Sequence, residues 1–132
     1  MNEPTTFIMK KGGLADIVVP KNTTIYTDAF RFGDVDTFAL SYLVSCTGLP
    51  NIKIQLEQSQ YAPVTEGVAD ANFAVPKTMP DIETSLTSKT IQHADFTPLC
   101  LLYMRLKITE LTNSVTDTTV NCWLSLQKKF RM

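Results

Sequence analysis

The sequence predicts an all-β protein: a two-sheet antiparallel β-sandwich of about eight strands, jelly-roll-like, with an extended N-terminal arm. Short apolar segments recur between turn signals from Leu14 onwards, and no window keeps the i, i+3, i+4, i+7 spacing of an amphipathic helix. Strands with one apolar face bury it most economically when two sheets pack face to face. Because alternation does not give strand order, an immunoglobulin-like arrangement stays open.

Residues 1–13 read as the arm, and residues 14–132 as the sandwich domain. The arm ends in Gly12-Gly13, and its apolar residues Phe7, Ile8 and Met9 need cover. Two placements remain open, because the arm can pack on its own domain or dock onto a neighbouring subunit.

The first half of the domain supplies four predicted strands. "LADIVVP" and "TTIYTDAF" are rich in Val and Thr and flank the turn-prone Lys21-Asn22. In "DVDTFALSYLVSC" every second residue is apolar, and these residues are Phe38, Leu40, Tyr42, Val44 and Cys46. The turn "TGLPN" then leads into "IKIQLEQ", which alternates in the same way. We therefore predict that the last two segments form a hairpin.

Alternation fails from Ser59 to Pro80, which is the longest predicted loop, although "NFAVP" can hold a short strand. Loops of this length are usually functional or packed on a partner. "DIETSLTSKTIQHADF" then predicts two short edge strands.

Two long strands complete the predicted sandwich. In "CLLYMRLKIT" the inward set is Leu102, Met104, Leu106 and Ile108, and the solvent-facing set is Tyr103, Arg105 and Lys107. In "TTVNCWLSLQ" the inward set is Val120, Cys122, Leu124 and Leu126, with Trp123 on the opposite face. Aromatic and Arg side chains anchor interfaces. Trp123, Tyr103 and Arg105 are therefore predicted to form a partner-binding patch.

Size and charge limit the class of protein. A chain of 132 residues buries roughly two-thirds of the surface that its unfolded form exposes. The composition of 44% hydrophobic and 19% charged residues excludes a disordered chain. A net charge of -1 gives no reason to expect nucleic acid. With no apolar run long enough for a signal peptide or membrane span, we expect cytosolic synthesis and no membrane partner.

The three cysteines, Cys46, Cys100 and Cys122, lie in strand-like apolar runs and are predicted to be buried free thiols. A Cys46–Cys122 bridge requires that their strands face each other at bonding distance.

The sequence predicts neither an enzyme nor a cofactor site. Its one histidine, His93, shares a strand face with Asp95, no serine lies in G-x-S-x-G, and the cysteines are too far apart for a zinc site. No glycine pattern indicates a phosphate loop. Acidic clusters at Asp34 and Asp36 and at Glu66, Asp70 and Asn72 are candidate calcium ligands, but such residues more often form turns.

The main alternative is a carbohydrate-binding module or a receptor-binding β-sandwich, because exposed aromatic rings stack on sugars. The candidates are Trp123, Tyr103, Tyr61 and Phe130. A covering loop would equally account for a large aromatic ring on a polar sheet face.

Three segments in order, "FGDVDTFAL", "IKIQLEQS" and "LLYMRLKITELTNSVTDTTVNCWLS", resemble small β-sandwich virion proteins of tailed bacteriophages, particularly capsid decoration and head-accessory proteins. The resemblance spans residues 28–127. It implies a non-enzymatic structural protein that binds the major capsid protein or other virion subunits, often as a symmetric trimer. It also implies a place in the virion, with assembly in the host cytoplasm.

Contact function is therefore predicted for the arm, the long loop and the outer face around Trp123. The predicted partner-binding residues are Phe7, Ile8, Met9, Tyr61, Phe73, Tyr103, Arg105 and Trp123.

Overall fold

The computed structural model describes residues 5–31, 37–99, 102–111 and 117–127, and it confirms the predicted β-sandwich. This part of the chain holds ten strands in two antiparallel sheets and no helix. The strands are β1 (Thr5–Met9), β2 (Ile17–Val19), β3 (Thr24–Tyr26), β4 (Phe30–Arg31), β5 (Thr37–Ser45), β6 (Ile52–Ser59), β7 (Glu83–Leu86), β8 (Gln92–Phe96), β9 (Tyr103–Glu110) and β10 (Thr118–Gln127). Cys100, Phe130, Asp34 and Asp36 lie outside the described residues.

The first sheet has the order β1-β10-β5-β8, and β2 also pairs with β10. β1 and β2 are two pieces of one edge, because Met9 pairs with Cys122 and Ile17 pairs with Val120. The break falls at Asn121, whose Nδ2 donates to the Ala15 carbonyl at 3.2 Å and to Asp16 Oδ1 at 2.7 Å. A side chain thus replaces the missing backbone pairing.

The second sheet has the order β3-β9-β6-β7, and β4 also pairs with β9. Its centre is the β6–β9 pair, which runs in register from Ile52↔Glu110 to Ser59↔Tyr103. β7 and β8 lie at the edges of different sheets, which confirms the two predicted short edge strands.

The strand order is that of a jelly roll. When β1 with β2 and β3 with β4 are each counted as one strand, eight strands remain, ordered 1-8-3-6 in one sheet and 2-7-4-5 in the other. Two interleaved Greek keys give this order. The jelly-roll prediction is therefore confirmed, and the immunoglobulin-like alternative is excluded.

The predicted hairpin between β5 and β6 is wrong. β5 lies between β10 and β8 in the first sheet, whereas β6 lies between β9 and β7 in the second. The connection between Ser45 and Ile52 crosses the sandwich, and it is long enough to span the roughly 10 Å between packed sheets. Alternation shows which face of a strand is buried, but it does not show which strand lies beside it.

The N-terminal segment packs on its own domain, which is one of the two placements left open. Thr5–Met9 forms β1 and pairs with β10 of the same chain. After it, Gly12 and Gly13 adopt φ of 58° and 79° in a tight turn, and their N–H groups donate to the two Asp28 carboxylate oxygens at 2.8 and 2.9 Å. This turn fixes the path from β1 to β2.

The core follows the predicted alternation on the long strands. The inward residues of β5 and β6, and those of β10 up to Leu124, are buried, among them Leu40, Ile54 and Val120 at 0% exposure, whereas Leu126 is partly buried. Tyr42 lies in this core, and its hydroxyl donates to Glu83 Oε1 at 2.5 Å. Burial, followed by this bond to the Glu83 carboxylate, raises the pKa of Tyr42 above its usual range. Leu102, predicted to be inward, is 41% exposed because it precedes β9.

Candidate functional site

The outer face of the first sheet carries almost no charge. We call it the Trp123 face, and its residues are Thr6, Ile8, Val18, Ala39, Ser41, Leu43, Ser45, His93, Asp95, Thr119, Asn121, Trp123 and Ser125. Asp95, at one edge, is the only Asp, Glu, Lys or Arg among these positions, and the Asp16 carboxylate borders the face where it accepts from Asn121. A sheet face on water usually carries charged side chains, whereas the centres of interfaces are depleted of them.

Trp123 lies on the central strand of this face. Strand register places Ile8, Trp123, Ser41 and His93 in one row across β1, β10, β5 and β8. Trp123 is half-buried, while Ile8 and Val18 are 51% and 46% exposed. The row therefore joins a large aromatic ring to an exposed aliphatic side chain.

The outer face of the second sheet has a different character. Its residues are Thr24, Tyr26, Arg31, Lys53, Gln55, Glu57, Ser59, Tyr103, Arg105, Lys107 and Thr109. Five of these eleven positions are charged. Glu57 and Arg105 are buried, which leaves Arg31, Lys53 and Lys107 as the accessible charges of this face. The first face is thus nearly free of charged side chains, whereas the second is not.

Arg105 was predicted to face solvent, and this prediction is wrong. Its side chain is fully buried, its Nε donates to Glu57 Oε1 at 2.9 Å, and its Nη1 donates to the Val68 carbonyl at 2.7 Å. The rings of Tyr26 and Phe73 lie 4.3 and 4.4 Å from the guanidinium carbon. The loop from Ser59 to Pro80 folds over this part of the sheet, so a position that alternation makes outward becomes interior.

Further contacts anchor the long loop to the sandwich. Gln58 and Ala74 exchange backbone hydrogen bonds at 2.9 and 3.1 Å, within the predicted "NFAVP" segment. Glu66 Oε2 accepts from the Ala29 N–H at 2.9 Å, and Lys11 Nζ donates to the Gly67 carbonyl at 3.3 Å. The loop is therefore part of the domain's own packing.

The predicted partner-binding residues separate into three groups. Phe7, Ile8 and Tyr61 are exposed, at 49%, 51% and 66%. Trp123 and Tyr103 are half-buried. Met9, Phe73 and Arg105 are buried within the chain and cannot contact a partner in this conformation.

The predicted patch of Trp123, Tyr103 and Arg105 does not exist. Trp123 is on the outer face of the first sheet, and Tyr103 is on the outer face of the second. Alternation places each aromatic residue on the side of its strand opposite the apolar residues, and both sheets have such an outer side. Only the strand order shows that the two residues lie on different sheets.

His93 contacts Ser41 and not Asp95. Both His93 and Asp95 lie on the Trp123 face, as predicted, but the His93 ring nitrogen Nδ1 shares a hydrogen bond of 2.8 Å with Ser41 Oγ. Ser41 and His93 are directly opposite each other on a solvent-facing sheet surface. A hydrogen bond between them is an ordinary cross-strand side-chain pair.

The acidic cluster at Asp70 forms a turn. Asp70 accepts from the N–H groups of Asn72 at 2.9 Å and Val64 at 3.1 Å. These two hydrogen bonds, that of Asn72 first, lower the pKa of the Asp70 carboxyl. In the described part of the chain, no three His, Cys, Asp or Glu side chains are grouped so that they could hold a metal ion.

Cys46 and Cys122 are free thiols, which matches the prediction for these two residues, although only Cys122 is fully buried. Burial raises the pKa of the Cys122 thiol to about 12. Cys122 packs in the core beneath the Trp123 face and is therefore inert at neutral pH.

No known protein family matches this chain, and no curated protein matches it. The described residues contain no helix that is long and apolar enough to cross a membrane.

Proposed function

We propose that this protein is a non-enzymatic structural subunit of a phage particle, which decorates or stabilises the shell by binding the major capsid protein or other virion subunits. One observation supports a contact role above the others: the Trp123 face holds one charged residue, Asp95 at its edge, with Asp16 bordering it beside Asn121, and it has a tryptophan on one of its two central strands. Charge depletion and a central aromatic anchor are properties of protein interfaces.

The size of the face is sufficient for such a contact. The strands of this face hold 32 residues, and at about 4.8 Å between strands and about 3.3 Å per residue they cover roughly 500 Å². A specific interface needs about 500 Å² from each partner. The Trp123 face meets this requirement without help from the loops.

The placement in a virion rests on the resemblance and on the fold. The segments that resemble phage decoration proteins include β5, β6, β9 and β10, which are the central strands of the two sheets. Jelly rolls are common in viral capsid domains, although a fold does not by itself imply a function. We further propose that copies of the chain assemble on the particle as a trimer.

The test is whether the chain is present on particles and whether Trp123 attaches it. Phage particles are purified from a culture that produces the chain. Mass spectrometry and antibody labelling in the electron microscope then show whether the particles contain it. Added Trp123→Ala protein should then bind stripped particles at least tenfold more weakly than wild type, because a central aromatic anchor contributes strongly.

Lys107→Ala is the matched control, because Lys107 lies on the outer face of the opposite sheet. It should bind like wild type. Absence of the chain from purified particles would refute the virion assignment, and equal binding by Trp123→Ala would refute the contact face.

Carbohydrate binding is the second candidate, because the Trp123 ring lies beside the hydroxyl-bearing residues Ser41 and Ser125 on an exposed face. Trp123 is the single tryptophan of the chain, so its fluorescence reports on this face alone. A saturable fluorescence change with a polysaccharide would favour this candidate over protein contact. A flat titration across a panel of glycans would remove it.

A further inference from the structure

A cleft of about 540 Å³ opens at the side of the sandwich where one sheet ends in β8 and the other in β7. One wall consists of residues 94–99, at the end of β8 and beyond it. The other wall is formed from the segment 76–82, which precedes β7. The cleft is separate from the row around Trp123, which runs over the outer face of the first sheet.

The floor of the cleft is apolar. Met79, Ile82, Ala94 and Phe96 line it, and all four are partly buried against the hydrophobic core. Phe96 also packs on Phe38, with ring centroids 5.4 Å apart. An apolar group entering the cleft would therefore extend the existing core.

The cleft also borders an unpaired strand edge. Among the described strands, β8 pairs only with β5, so its other edge has no strand partner. The facing wall contains Pro76 and Pro80, which have no N–H and cannot continue a ladder of hydrogen bonds. Pro76 and Pro80 therefore cannot donate hydrogen bonds to β8, whose free edge is available to an added strand.

The charged residues of the cleft are acidic. Asp81 and Asp95 line it, and no Lys or Arg is among its lining residues. Asp81 accepts from Gln55 Nε2 at 2.9 Å and lies 3.8 Å from Lys53 Nζ. Asp95 is exposed, and no described side chain pairs with its carboxylate.

We propose that this cleft binds an extended, basic segment of a partner protein, which adds to the free edge of β8 as a further strand. Asp95 and Phe96 are neighbours on β8 and point to opposite sides of the sheet. The added strand therefore needs a Lys or Arg opposite Asp95 and an apolar side chain opposite Phe96. This site borders the Trp123 face, with which it shares Asp95, and its ligand is an alternating basic and apolar peptide.

The test uses the peptide acetyl-Lys-Val-Lys-Ile-Lys-Val-amide and the ¹⁵N-labelled chain, followed by NMR. We expect saturable shifts of the backbone amides in residues 94–96 and 79–82. The same peptide with Glu in place of Lys should bind at least tenfold more weakly. A version N-methylated at alternate residues should also lose binding, because it cannot form the backbone hydrogen bonds of an added strand.

Asp95→Lys should weaken binding of the basic peptide at least tenfold, while Asp117→Lys, at an exposed position outside the cleft, should leave it unchanged. Trp123→Ala should also leave it unchanged, which separates this site from the proposed particle contact. Equal binding of the Lys and Glu peptides, full binding of the N-methylated peptide, or shifts confined to other residues would each overturn the proposal. Shifts of the cleft amides by an oligosaccharide and not by the peptide would overturn it in favour of a sugar site.

Discussion

Arg105 on β9 lies directly opposite Glu57 on β6, and its Nε donates to Glu57 Oε1 at 2.9 Å within the interior of the protein. The guanidinium also lies between the rings of Tyr26 and Phe73. Phe73 belongs to the long loop, whereas Tyr26 belongs to β3. The ion pair and the Tyr26 ring hold the side chain within the second sheet, and the Phe73 ring and the Val68 carbonyl join it to the loop.

Replacing Arg105 by Met should destabilise the protein by about 3–5 kcal/mol, because Glu57 would remain buried without its partner. The measurement is urea unfolding followed by circular dichroism. Lys107→Met, two residues further along the same strand face, is the control and should change the free energy of unfolding by less than about 1 kcal/mol. Equal effects of the two substitutions would show that Arg105 is solvated.

A double variant separates the ion pair from the packing. Arg105→Met combined with Glu57→Leu should recover a large part of the lost stability, because a buried pair is often replaced by apolar residues at little cost. A double variant as unstable as Arg105→Met alone would assign the loss to the two ring contacts and to the bond to Val68.

The inward side of β1 should contribute more to stability than its outward side. Met9→Ala should cost about 2–5 kcal/mol, because Met9 is 4% exposed and packs in the core. Ile8→Ala, on the adjacent outward residue, should cost less than about 1 kcal/mol. Both values come from urea unfolding, repeated at a tenfold higher protein concentration. A Met9→Ala cost that appears only at the higher concentration would contradict pairing of β1 within its own chain.

The Asp70 turn should weaken in acid. The folded state lowers the pKa of Asp70 below the ordinary value of 3.8, so its contribution to stability is complete above that value and is lost as pH falls through the folded pKa. The stability difference between wild type and Asp70→Ala should therefore be constant near neutral pH and shrink below about pH 4. A stability difference that grows on acidification would mean that folding raises the pKa of Asp70, which would contradict the hydrogen bonds of the turn.

Cys122 should resist alkylation in the native protein. Burial raises the pKa of its thiol to about 12, so almost none of the reactive thiolate exists at neutral pH, and the core excludes the reagent. Iodoacetamide treatment followed by peptide mass mapping should leave the Cys122 peptide unlabelled until urea is added. Rapid labelling of native Cys122 would show that β10 opens readily.

The sequence predicted side-chain burial correctly on strands that have one face in the core and the other face in solvent. On β5 and β10, alternation correctly predicts the buried residues Leu40, Val44 and Cys122. It also predicts that Trp123 lies on the face opposite the core, where the structure places it. These predictions succeed because the side-chain period of a strand is two, whatever the strand pairs with.

Alternation failed at Arg105 because its outward position is covered by a loop. The alternation of apolar and polar residues on β9 is the same whether its outer face contacts solvent or another segment of the chain. Only the position of Phe73, brought across the sheet by the loop, reveals the burial. The length of the loop and its aromatic residue were the available signals, but neither indicates where the loop packs.

The sequence by itself determined the fold class, the two faces of the long strands and the edge character of β7 and β8, since these follow from local alternation and turn chemistry. The tertiary structure alone decided that β5 and β6 belong to different sheets, that Trp123 and Tyr103 lie on opposite sides, and that the Asp95 cleft exists. Each of these depends on contacts between residues far apart in the chain, and such contacts leave no periodic mark in the segments that make them.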